Sequence, residues 1–341
     1  MSGVGSWGAV TVLTLLSSLW LGKLLPGGLS AAAPDGTHAV AGRLEGPGCG
    51  RVPPETAMVA SASLITDEIL IELLPEERLA AVSFVVDWPR ATAAFGRFPP
   101  QLPRTWGTAE HLLRLGADLI LLSEFNGSLP APQLAAAGCC VAESRAPRSL
   151  DDVLRTIEWL GEVTGTSERA AHLTAALAGR LTRLPKPLPG SSPRAMVLHG
   201  ALVYGGRTVQ GDCLRRAGLI NVAEELGISN APALGSEVWV RLELDLLFVA
   251  ADVPAPRPAT PELLPAGIPW REARVASSGR IVAVPETWVG SLSHHAVRAC
   301  EAYARFASGT PRPPDTRTAE PRLSQVAPDD AAVSEIATGG R

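Results

Sequence analysis

One unit of the chain occurs twice. Gly107–Leu122, GTAEHLLRLGADLILL, overlays Gly235–Ala250, GSEVWVRLELDLLFVA; the second copy opens one residue shorter and the register is constant from there on. Glu110, Arg114, Leu115, Asp118 and Leu119 answer to Glu237, Arg241, Leu242, Asp245 and Leu246. In each copy a short helix led by Glu runs into an apolar strand led by Asp. A chain that repeats such a unit on both sides of a helical spacer is expected to build two similar α/β lobes.

The spacer is Ser149–Leu184. Ser149 with Asp152 three residues later gives an N-cap and an acidic first turn; Val153, Ile157 and Leu160 share one face, and Gly165 ends the run. A second helix in series starts near Ser167, its stripe made by Leu173, Leu177, Leu181 and Leu184, until Pro185, Pro187 and Pro189 stop it. Around it, residues 58–148 read as a first lobe. A strand from Met58, a loop with Ser61 and Ser63, a helix from Thr66 and the strand Leu79–Val86 lead into the first repeat copy and one further unit over Gln133–Val141. Residues 193–307 read as the second lobe: the strand Ala195–His199, a turn at Gly205-Gly206, a helix from Asp212, the strands Asp245–Ala250 and Arg280–Val284, and a closing helix over Ser293–Phe306. Alternation of this kind predicts mostly parallel sheets.

The ends read differently. Gly8–Leu21 is an uncharged run of signal-peptide length, and Ala31-Ala32-Ala33 supplies small residues of the cleavage type, so residues 1–33 are expected to be a signal peptide or an N-terminal anchor. No Cys follows the run closely enough for lipid attachment. Residues 34–57 read as a Gly/Pro-rich spacer and 308–341 as a disordered tail. With a net charge of −4 and scattered basic residues, the chain has no footprint for nucleic acid. It also lacks a G-x-S-x-G elbow, a phosphate-binding Gly loop and CxxC pairs. No enzyme class and no resident cofactor is therefore expected.

Several stretches in order, SASLITDEIL, DWP at Asp87–Pro89, TWG at Thr105–Gly107, AEHLLRLGADLILL, SLDDVLRTIEWLGEVTG, QGDCLRRAGLINVAEEL and SGRIVAVPETW, resemble the substrate-binding proteins of ABC importers that capture vitamin B12, haem or ferric siderophores. The resemblance covers roughly Met58–Phe306. It implies two α/β lobes bridged by one long rigid helix, for which Ser167–Leu184 is the candidate, with ligand between the lobes and cobalamin placed slightly ahead of haem or a siderophore. It also implies a monomer at the extracytoplasmic face, partnered by a membrane permease. Ala231 stands where B12-binding relatives usually carry an aromatic, and His294-His295 where many carry Pro-Arg.

The same resemblance places Trp88, Trp106 and Trp288 at the cleft, where flat aromatic faces suit a macrocycle; Tyr204, before Gly205-Gly206, is a further candidate. His294 and His295 are candidate axial ligands if a ring is exposed at the cleft edge, and the residues on which a metallochelatase-like alternative would rest. Glu110 and Glu237 match the glutamates, one per lobe, that dock on permease arginines. Cys213 and Cys300 lie on helices that a disulfide joins in some relatives, each displaced by about one turn from the family position. Cys139 and Cys140 are read as buried thiols without a role.

Overall fold

The computed structural model describes residues 42–127, 130–187, 192–260, 263–264 and 280–309. The expected leader and nearly all of the expected tail lie outside them. Among the described residues no helix is long and apolar enough to cross a membrane.

Two sheets carry the fold. Strands β1 (Gly42–Glu45), β2 (Val59–Ser61), β3 (Leu79–Ser83), β4 (Arg104–Thr105), β5 (Leu119–Ser123) and β6 (Cys140–Ser144) lie in the order β1-β6-β5-β2-β3-β4, parallel except for β1 against β6. In the second sheet β7 (Arg194–His199), β10 (Leu246–Ala251) and β12 (Arg280–Pro285) form a parallel heart, with β9 (Ile220–Asn221) parallel to β7. Antiparallel β8 (Leu202–Val203) and β11 (Arg257–Pro258) sit at its margins. The central strands are continuous apolar runs because helices cover both faces: every residue of β5 and β10 is buried.

The helices are α1 (Leu64–Leu73), α2 (Ala109–Arg114), α3 (Pro130–Ala136), α4 (Leu150–Thr164), α5 (Ser167–Thr182), α6 (Val209–Arg216), α7 (Val222–Glu225), α8 (Ser236–Arg241), α9 (Glu286–Val289) and α10 (Ala296–Ala307). The repeat becomes α2–β5 and α8–β10, and its aspartates do the same work in each lobe. Asp118 Oδ2 accepts the Met58 amide at 2.9 Å just before β2, and Asp245 Oδ2 accepts the Arg194 amide at 2.8 Å as β7 begins. Each acid thus fixes the register of its strand against the parallel neighbour.

The spacer forms the two helices read from its sequence, and α5, the candidate bridge, runs from the first lobe to the second, but the two helices do not run on in one direction. Ser149 caps α4 as read, accepting the Asp152 amide at 3.1 Å. Gly165 then takes φ +68°, open to glycine at little cost, and a Cβ there would fall 2.5 Å from the Glu55 amide nitrogen. The chain turns back. At its start α4 meets the second lobe, where the Leu150 amide donates to Asp212 (2.9 Å) and Asp151 pairs with Arg216; at its end Trp159 lies over Gly42. Helix α5 reverses the path, from Arg169 donating to the Leu73 carbonyl (3.0 Å) to Arg180 forking onto Glu301 of α10. One apolar cluster, from Val59 and Ile69 through Ile157 and Leu177 to Phe248 and Tyr303, runs through both lobes.

Two expectations about cysteine and the spacer are corrected. Cys213 and Cys300 are free buried thiols: Cys300 donates to the Cys213 carbonyl (3.5 Å) and Cys213 to that of Ala296 (3.8 Å), and burial holds the Cys213 thiol well above its usual pKa. The disulfide joins Cys49 to Cys140 instead, because Gly42–Glu45, expected to be spacer, adds to the sheet edge as β1 and brings Cys49 to the head of β6. Closing a span of 91 residues, the bond should contribute about 2–4 kcal/mol. Cys49→Ser, or the parent under reductant, should therefore unfold at lower denaturant; coincident curves with and without reductant would refute this.

Candidate ligand cleft

In open α/β sheets ligands collect beyond the carboxyl ends of parallel strands, where loops rather than covering helices meet solvent. Here those ends supply most of the aromatic candidates. From the first lobe, β3 runs into a 3-10 turn, Phe84–Asp87, and then Trp88, while β4 runs into Trp106. Phe84 joins the two: its ring stacks on Trp106 at 3.7 Å and 23°, and Trp88 meets it edge-on at 5.2 Å and 78°. Trp106 is 68% exposed, too much for a core residue and suited to covering a ligand. Arg104 braces this wall by forking onto Asp87 at 2.9 and 3.0 Å.

From the second lobe, β7 ends at His199, β10 leads into Asp252, and β12 leads into Glu286 and Trp288 on α9. Tyr204 follows β8, its hydroxyl 3.3 Å from His199 Nδ1; burial pushes the phenol up to about 12 and the imidazole down. Trp288 is half-buried beneath the Arg298 guanidinium, 5.7 Å from the ring centroid. Arg90, two residues beyond Trp88, crosses to the second lobe and forks onto Glu286, so the two sets of strand ends face one another. Surface depressions beside Glu76–Leu79 and beside Arg180–Pro185 lie away from these rings.

Beneath the walls the lobes are joined by a carboxylate. Glu68 of α1, 1% exposed, accepts from Thr92 Oγ1 (2.7 Å) and the Ala93 amide (3.3 Å) of its own lobe, and from Ser291 Oγ (3.0 Å) and Ser293 Oγ (2.6 Å) of the other. That anchorage explains the correction for His294 and His295. Drawn in behind the two serines, both are 1% exposed, with rings 3.9 Å apart and His294 Nε2 3.9 Å from Glu72. Burial, then the neighbouring His294 and the guanidiniums of Arg298, Arg97 and Arg180, hold the His295 pKa far below its ordinary value. Neither ring reaches a cleft edge. Among the described residues no group of three or more His, Cys, Asp or Glu is placed to hold a metal ion.

Glu110 and Glu237 are both exposed in the first turns of α2 and α8. Trp239, two residues on from Glu237, is 2% exposed and pins α8 to the core. The residues that sequence reasoning passed over are Phe84, Arg90, His199 and Glu286. Phe84 carried a signal, as an aromatic at the end of an apolar strand beside the DWP turn. The others had none.

Two lobes of this kind, aromatic at the facing strand ends and tied by a helical pair, define a two-lobed binding protein. The chain belongs to the family described as periplasmic binding protein, whose model matches residues 59–260. A curated relative, the cobalamin-binding protein of Halobacterium salinarum, is 25% identical over 204 residues, 58% of this chain and 54% of the relative. The chain thus spans about half the length of the curated relatives it matches. Among solved structures, the apo haem-binding protein RhuT of Roseiflexus sp. RS-1 aligns at TM-score 0.58 and 20% identity, over 74% of this chain and 100% of its own. HutB of Vibrio cholerae, a haem-binding protein, aligns at 0.59 and 19%, over 73% and 97%. The vitamin B12-binding protein BtuF of the same organism aligns at 0.56 and 16%, over 74% and 98%. These likenesses confirm the fold.

Proposed function

We propose that the protein is an extracytoplasmic capture protein that takes up a corrinoid or an iron chelate, either haem or a ferric siderophore, and hands it to an ABC permease. The observation that carries this reading is the aromatic wall of Trp88, Phe84 and Trp106, set at strand carboxyl ends opposite Trp288 and Tyr204. Flat rings bury much area and freeze few rotors, which suits a macrocycle better than a sugar or an amino acid. Names of relatives support both tetrapyrrole classes. The Cys49–Cys140 disulfide fits a compartment outside the cytoplasm. Capture without chemistry is the role, since the buried His294 and His295 offer a metallochelatase no accessible base or ligand.

Delivery is assigned to Glu110 and Glu237. They are exposed acids at equal places of the repeat, one on each lobe, so together they make a two-point contact that fixes orientation on a basic partner.

The test is a titration of the protein with cyanocobalamin, haemin and ferric siderophores, followed by visible absorption. Trp88→Ala, Trp106→Ala and Trp288→Ala should each weaken uptake by about 1–3 kcal/mol. The Glu110→Ala/Glu237→Ala protein should keep its chelate affinity while losing permease association, most sharply at low salt. Unchanged affinity in the triple Trp variant sinks the cleft; undiminished delivery by the double Glu variant sinks the docking.

A further inference from the structure

The ends of α5 and α10 gather charge of one sign. Arg180 in the last turn of α5, Arg183 at its cap and Arg305 in the last turn of α10 line one depression with Leu184, Pro185 and Glu301. Three guanidiniums thus stand against one carboxylate, in a chain whose net charge is −4. That carboxylate is already taken. Arg180 forks onto it, Nε to Oε1 and Nη2 to Oε2, both at 2.9 Å. Arg305 lies one turn beyond Glu301, in the order that favours an i,i+4 pair, yet its Nη1 is buried with no hydrogen-bond acceptor. Burial lowers its pKa against the pull of the Glu301 charge. Arg183 is exposed beside it and is in no ion pair or side-chain hydrogen bond among the described residues. The carbonyl ends of two helices attract cations, which explains why arginines collect here. They do not complete them, since no carbonyl accepts from Arg305 Nη1 or from the Arg183 guanidinium. A guanidinium cannot shed its charge, and one held out of water without an acceptor costs stability. What these two lack is an anion.

We infer that the ends of α5 and α10 form an oxyanion site, taking a phosphate-type dianion free in solution between the guanidiniums of Arg183 and Arg305, with Arg180 held at its edge by Glu301. The charge of the ligand follows from the residues: three cations less one anion leave two positive charges, which a dianion neutralises and a singly charged lipid phosphodiester does not. Its size follows from the depression, about 240 Å³, below the roughly 300–1,000 Å³ of pockets that hold a drug-sized ligand. Arginine suits the task, because its planar fork matches the paired oxygens of phosphate. The site lies away from the aromatic walls and does not depend on the capture reading. An anion held there would tie the end of α5, which runs from the first lobe to the second, to the closing helix of the second lobe.

The test is calorimetric titration with inorganic phosphate in a chloride background of constant ionic strength, which screens non-specific attraction equally in every sample. The parent should take up phosphate saturably, one per chain. Arg183→Gln and Arg305→Gln should each weaken that uptake by about tenfold or more, whereas Arg114→Gln, an exposed arginine elsewhere, should leave it unchanged. Glu301→Gln keeps an accepting oxygen for Arg180 but removes the one negative charge, and should tighten uptake by about threefold or more. Misfolding cannot produce shifts of both signs. Sedimentation with phosphatidylglycerol vesicles separates the two sources of phosphate: the protein should stay in the supernatant. Uptake that never saturates, affinity unchanged in both Arg183→Gln and Arg305→Gln, weaker uptake by Glu301→Gln, or binding to the vesicles in place of free phosphate overturns the assignment.

Discussion

Replacing Glu68 with Ala is expected to cost about 3–5 kcal/mol of stability, read as a fall in the denaturation midpoint. The carboxylate is 1% exposed and accepts four hydrogen bonds, from Thr92 and Ala93 in one lobe and from Ser291 and Ser293 in the other. Truncation leaves three hydroxyls and an amide without their acceptor at the point where the lobes meet. It also frees the Ser291–His295 turn from α1, so His294 and His295 should become reactive toward an imidazole-directed reagent. Glu68→Gln, which keeps an accepting oxygen, should lose less than half as much. A denaturation midpoint in Glu68→Ala matching that of the parent would show that the seam is held by the apolar cluster alone.

A second large effect is expected from pH. Asp67, the preceding residue, is fully buried, and its carboxyl is pushed from 3.8 up to about 7. Burial is the main cause. Hydrogen bonds from Ser61 and Ser83 oppose it, while the adjoining Glu68 charge adds to it. Because the folded protein holds this proton more tightly than the unfolded chain, its contribution to stability is full below about pH 4 and is lost as the pH rises through about 7. The loss between pH 4 and pH 7 is about 3 kcal/mol from this group. Glu68 runs the same way, its carboxyl raised by burial, while Asp152 runs the opposite way, held low by the Arg148 amide, Arg155 and Ser149. The comparison that isolates the effect is therefore Asp67→Asn against the parent. The neutral variant should gain on the parent by about 3 kcal/mol across that window; a difference that stays flat from pH 4 to pH 7 would exclude the buried proton.

Much of the architecture was legible from local pattern. The repeat predicted two α/β lobes, and its paired aspartates turned out to set strand register in both. The cap at Ser149 and the stripe of Val153, Ile157 and Leu160 were visible because helix signals act within a turn. The site was legible in part. Trp88 and Trp106 meet through Phe84, but nothing local marks Phe84 as their link, since stacking depends on where the ends of β3 and β4 come to lie.

What the sequence by itself determined was most of the elements and their buried faces: the central apolar strands, the amphipathic helices, the acids that begin the repeat, and the turn residues that stop each run. What only the tertiary structure decided was every pairing between distant segments. Cys49 found Cys140 rather than Cys213 finding Cys300, because β1 joined the sheet. His294 and His295 went inward because Ser291 and Ser293 reached a carboxylate more than two hundred residues away. Arg90 met Glu286 across 196 residues. Periodicity and capping are read from neighbours a few residues apart, whereas these contacts depend on how whole lobes are placed, and no spacing along the chain encodes that.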